Sequence, residues 1–160
     1  MKYSFLIVLI ASVFFMCFAN HDEKNSISNS HANESNANVD NKVISNKMKI
    51  SIGSNTFTAT LYENETTKAL KAMLPITLNM SELNGNEKYF HLSTDLPTNT
   101  TNPEIIHEGD LMLWGTNSLV LFYKTFSTSY KYTKIGHIDN PLGLASVVGS
   151  GNVTIVFELE

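Results

Sequence analysis

From Met48 to the final residues, short strand-like segments follow one another, most with apolar side chains at every second position, and one segment shows a helical period instead. Such alternation sets one side of each segment against a core and the other toward solvent, as a half-buried β-strand requires. Met48, Ile50 and Ile52 alternate with Lys49 and Ser51. After the turn residues Gly53–Ser54–Asn55, Phe57, Ala59 and Leu61 alternate with Thr58 and Thr60, and together they predict a hairpin. Ile76, Leu78 and Met80 open a further strand. Asn84–Gly85 marks a turn into Lys88–Leu92. Glu108–Gly109–Asp110 leads into Leu111–Trp114, and Gly115–Thr116–Asn117–Ser118 turns back into Leu119–Tyr123. That last run is nearly all apolar, which predicts a strand covered on both sides. Ile135–Ile138 and the alternating Val153–Leu159 complete the set.

The exception lies between Asn64 and Pro75. Ala69, Leu70, Met73 and Leu74 fall on one helical face, Asn64 or Thr66 can cap its start, and Pro75 ends it. The apolar stripe is read as core. Ser93–Pro103 is rich in Ser, Thr, Asn and Pro and predicts a long exposed loop. Many short strands with one or two short helices predict a mainly β fold, a small closed or sandwiched architecture spanning residues 47–160.

Two other segments precede this domain. Met1–Lys2 carries one positive charge, and Tyr3–Ala19 is uncharged and mostly apolar. This is the pattern of a secretory signal peptide over residues 1–19. A membrane anchor is the competing expectation, although a spanning helix needs about 20 apolar residues. The single cysteine, Cys17, lies in this segment. Cleavage after Ala19 removes it, whereas a lipoprotein signal would make Cys17 the acylated first residue; Met16 beside it is a poor match to that signal. Residues 20–46 are rich in Asn, Ser, Asp, Glu and Lys, too polar to offset the entropy of ordering, and are expected to be a flexible tether. The expected location is secreted or in the cell envelope.

Several functions are disfavoured. The net charge is −4 and all eleven basic residues are lysines in no basic cluster, so nucleic acid is not an expected partner. No Gly-x-Ser-x-Gly elbow occurs. His91, His107 and His137 show no ligand spacing, and no metal or other cofactor is expected. Gly149–Ser150–Gly151 precedes a strand and lacks the helix start that a phosphate loop uses. Five Asn-x-Ser/Thr sequons occur, in a chain rich enough in those residues for chance to supply most of them.

The order Leu74–Pro75–Ile76, Lys88–Tyr89–Phe90, Gly109–Asp110, Leu121–Phe122–Tyr123, Ile135–Gly136–His137–Ile138 resembles the bacterial cyclophilin-like family over roughly residues 47–160. The resemblance implies a small closed β-barrel related in fold to the peptidyl-prolyl isomerases. Those enzymes carry Phe-His-Arg on one strand, where this chain has Phe90–His91–Leu92. Leucine cannot donate hydrogen bonds to a proline amide, and lysine lacks the planar fork of arginine. The region resembling their Ser-Gln-Phe-Phe run, Ser118–Tyr123, has no glutamine, and Tyr132 stands where they have a histidine four residues before a glycine. No catalytic residue is assigned on this basis. The corresponding face is expected to hold Phe90, Leu92, Phe122, Tyr123, Tyr130 and Tyr132 as candidate ligand-binding residues, with Phe90 and Phe122 better suited to the core than to a site. The expected role is a non-catalytic module for a small molecule or peptide segment. The alternatives are a weak isomerase and an envelope interaction domain, and the oligomeric state is left open.

Overall fold

The computed structural model describes residues 45–160. The expected signal, Cys17 and the tether up to residue 44 lie outside the described residues. Asn46, at the end of the expected tether, is tied to the domain: its carbonyl accepts from Leu61 N–H (2.8 Å), and its side chain bonds Glu63 (2.9 Å) and Lys71 (2.7 Å).

Ten strands and two helices follow: β1 Lys47–Ile52, β2 Asn55–Leu61, α1 Glu65–Lys71, β3 Ile76–Leu83, β4 Glu87–His91, β5 Ile105–Ile106, β6 Asp110–Trp114, β7 Ser118–Phe122, β8 Phe126–Ser127, β9 Thr133–Ile138, α2 Leu144–Val148 and β10 Val153–Leu159. Eight strands close in the order β1-β10-β3-β4-β7-β6-β9-β2, all neighbours antiparallel. The fold is the expected mainly β barrel. Closure gives each of these strands two partners and leaves no open edge in the barrel.

The two-residue period sorts side chains into inner and outer sets. Met48, Ile50 and Ile52 from β1, Leu111 and Leu113 from β6, Leu119 and Leu121 from β7, and Ile155 and Phe157 from β10 fill the main core. Residues directly opposite in an antiparallel pair share a face. Lys88 lies opposite Leu121 and Phe90 opposite Leu119, so both belong to the inner set of β4. Glu87, Tyr89 and His91 lie opposite Phe122, Val120 and Ser118 and belong to the outer set. All five residues of β7 are buried because its outer side is covered as well. There Val120 and Phe122 join Met112, Ile106 and Tyr132 in a second apolar cluster, against which Phe126 packs. Ile106 and Phe126 come from β5 and β8, which form a two-stranded sheet of their own.

Asn64 caps α1, its Oδ1 accepting from Thr67 N–H at 2.9 Å. Leu70 is buried in the main core, with Ala69, Met73 and Leu74 packed against it. The five-residue α2 sets Leu144 and Val148, one turn apart, into the same core. Ser93–Pro103 departs from a purely exposed loop. Leu96 is buried, and backbone bonds run from Leu96 N–H to Thr116 (2.8 Å) and between Thr101 and Tyr132 in both directions (2.9 Å each). Leucine in a polar stretch is the residue with apolar surface to bury, and it pins the loop to the β6–β7 turn.

Gly136 of β9 sits where β2 approaches closely: a Cβ there would lie 2.6 Å from the Thr60 carbonyl oxygen and 3.1 Å from a Leu61 methyl. Gly136→Ala is therefore expected to cost about 2 kcal/mol by forcing these strands apart. Gly151→Ala, with nothing within 4 Å of its Cβ, is the control and should be nearly neutral. Urea denaturation of both variants checks this, and equal effects would show that β2 yields without cost.

Candidate functional site

The outer side of β4, β7 and β6 carries a cleft of about 380 Å³. Tyr89, His91, Ser118, Val120 and Trp114 come from the three strands, and the end of β3 with the β3–β4 turn contributes Leu83, Asn84 and Asn86. The opposite wall is the segment carrying Phe126, Tyr130 and Tyr132. Asn84 and Gly85 both have positive φ (57° and 70°), the geometry of a tight hairpin turn, which Asn–Gly adopts most readily. That turn holds one end of the cleft.

The floor is built of packed rings. Phe122 packs edge-on against Tyr132 (ring centroids 5.5 Å apart, interplanar angle 87°) and at a tilt of 57° against Phe126 (5.7 Å). Tyr89 meets the His91 ring at 5.3 Å, also edge-on. The rim is unusually apolar for a surface: Trp114 is 51% exposed, Tyr130 66% and Leu83 41%. Clustered exposed apolar side chains of this kind distinguish interaction sites from ordinary surface.

Few polar groups enter the cleft. The Ser118 hydroxyl and His91 Nδ1 share a hydrogen bond of 2.7 Å. The Glu87 carboxyl, buried at the end near Asn86, pairs with no lysine or histidine among the described residues. Burial, with the nearby Glu82 carboxylate, pushes it up to about 7. Burial and the charge of Glu87 likewise raise the Tyr132 phenol. Asn86 Oδ1 is also buried and has no hydrogen-bond partner among the described residues. Among the described residues no lysine lines the cleft.

Of the six residues placed on one face by the sequence, Tyr130 and Tyr132 line this cleft, and Phe122 lies beneath it in the second apolar cluster. Phe90, Leu92 and Tyr123 do not share that face. Leu92 and Tyr123 are buried in the main core and Phe90 packs against it. The correction has a simple cause: Phe90 holds the inner phase of β4 and Leu92, one residue past its end, keeps that phase, so Tyr89 and His91 take the outer one. Tyr123 follows the end of β7, and its hydroxyl donates to Glu82 Oε1 at 2.7 Å. It borders a second, more open depression of about 420 Å³ that also includes Lys124, Ser146 and Gly149. Glu87, Tyr89, His91, Trp114 and Ser118 were not singled out from the sequence. The alternation Glu87-x-Tyr89-x-His91 is the signal that identifies the first three.

A closed antiparallel barrel of eight strands, with an aromatic cleft on the outer side of three of them, defines the class of domain. The chain belongs to the cyclophilin-like family, whose pattern it matches over residues 50–158. A hypothetical protein from Archaeoglobus fulgidus, known from a solution structure, is similar in fold, with a TM-score of 0.51 and 21% identity, over 73% of this chain and 96% of that one. No curated protein matches the chain.

Proposed function

We propose that this cyclophilin-like domain is a non-catalytic binding module, acting outside the cytoplasm, that takes a small molecule or a peptide side chain into the cleft over β4, β7 and β6. The observation that carries this is the convergence of the exposed Trp114, Tyr130 and Leu83 on one concavity of about 380 Å³. Its size and its aromatic walls with few polar groups suit a small ligand. Absence of arginine from the whole chain counts against isomerase chemistry of the familiar kind. The leader-like pattern of residues 1–19 supports export.

The test is a fragment screen followed by amide NMR shifts, with a proline isomerisation assay beside it. Bound fragments should perturb Tyr89, Trp114 and Tyr130. Tyr130→Ala should weaken them by about tenfold, as loss of an aromatic contact does, while leaving the melting temperature nearly unchanged. Fragments that map elsewhere, or that ignore Tyr130→Ala, would discard the cleft as the site. Turnover of a proline peptide would make the domain an isomerase instead.

A further inference from the structure

Resting on the cleft as a binding site, we propose that its ligand presents an organic ammonium group, seated at the Glu87–Asn86 end with its apolar remainder against Tyr89, Trp114 and Tyr130. Two acceptors stand unmatched at that end. Among the described residues Glu87 has no cationic partner, and Asn86 Oδ1 is buried without a donor. A native domain rarely leaves such groups unmatched, because each unpaired buried acceptor forfeits its hydration. An ammonium supplies the counter-charge that Glu87 lacks, with N–H donors for its carboxylate. The aromatic walls favour the same ligand, since ring faces attract cations.

The nearest lysine in sequence does not fill the role. Lys88 holds the inner phase of β4, where its ammonium already bonds Glu82, Gly149 O (2.8 Å) and Gly151 O (2.6 Å). The titratable groups whose charge or phenol couples to Glu87 are Tyr132, which lines the same cleft, and Glu82 and Tyr123 at the barrel end behind it, none of them cationic. A carboxylate or phosphate ligand would meet Glu87 as a like charge.

The fluorescence of Trp114, the only tryptophan in the chain, reports on the rim directly. The protein is titrated with phenethylammonium and with 2-phenylethanol, nearly the same shape without the charge, at pH 5.5 and pH 8. The ammonium should bind about tenfold more tightly than the alcohol at pH 8. That preference should shrink at pH 5.5, where Glu87 is protonated, because its carboxyl sits near 7. Glu87→Gln should abolish the preference at both pH values. Nα-acetyl-lysine methylamide separates the two sources of an ammonium. If it matches phenethylammonium, the ligand is a protein lysine; if it is much weaker, the ligand is a free amine. Equal binding of amine and alcohol overturns the ammonium assignment and leaves the cleft as a binding site. A preference that survives in Glu87→Gln overturns it too. Binding of neither probe overturns it as well, and the fragment screen then decides the cleft separately.

Discussion

Replacing Lys88 by methionine is expected to lower stability by about 3 kcal/mol, near the lower end of the range for breaking a buried charge pair. Lys88 is fully buried, with 0% exposure. Its three N–H donors are matched to three acceptors: Glu82 Oε2, Gly149 O at 2.8 Å and Gly151 O at 2.6 Å. The ammonium also lies 5.2 Å from the centre of the Tyr123 ring. Burial works to raise the Glu82 carboxyl, but hydrogen bonds from Lys88 and Tyr123 outweigh it and hold that group below its usual value. Tyr123, pushed up to about 12 by burial and by its bond to Glu82, stays a donor at any working pH. Methionine keeps an unbranched apolar stem one atom shorter but leaves the Glu82 charge and two glycine carbonyls without the ammonium. The network ties the β3–β4 hairpin to the loop before β10, so the loss should fall on the whole barrel. Urea denaturation of Lys88→Met and of Lys88→Met/Glu82→Gln separates the contributions. The double variant should recover part of the loss, because no unpaired charge then remains. A loss below about 1 kcal/mol in the single variant would mean that water replaces the ammonium.

Lys88 also explains why the site was less legible in the sequence than the fold. The barrel strands were visible because β1, β2, β3 and β10 alternate cleanly, and a closed barrel needs one buried face on every strand. In β4 a lysine occupies the inner phase, so charge no longer marks the outside. With Phe90 and Leu92 inside, the residues left to face the cleft are Glu87, Tyr89 and His91. Leu119–Phe122 in β7 is apolar at every position, and its period carries no phase at all. Only the opposing strands decide that Val120 and Phe122 face outward. The β5 and β8 strands have two residues each, shorter than any period that can be counted. Tyr130 and Tyr132 were legible as site candidates because they are large aromatic residues in a polar segment, where a core has no use for both. The structure then divides them: Tyr130 stands at the rim and Tyr132 packs into the floor.

Glu87→Gln is expected to stabilise the domain at pH 8 by on the order of 3 kcal/mol and to change nothing at pH 4. The usual value for this carboxyl is 4.5, which is also its value in the unfolded chain, and in the folded domain burial and then Glu82 push it up to about 7. Below 4.5 it is protonated in both states, and its contribution to stability is fully present. Between 4.5 and 7 the folded domain holds a proton that the unfolded chain has lost, so stability falls as pH rises. Above 7 both states are ionised and the loss is complete. Glutamine has nearly the shape of the protonated acid and never ionises, so the variant escapes that fall. Denaturation at pH 4, 6 and 8 should therefore give wild-type and variant curves that coincide at the first value and diverge progressively at the others. Curves that stay parallel would show Glu87 ionising at its ordinary pH, with water entering that end of the cleft. The same free energy bears on binding. A carboxylate held in an apolar cleft at a cost to folding is one that a bound ammonium relieves, so adding phenethylammonium at pH 8 should recover part of the stability that wild type lacks and Glu87→Gln already has.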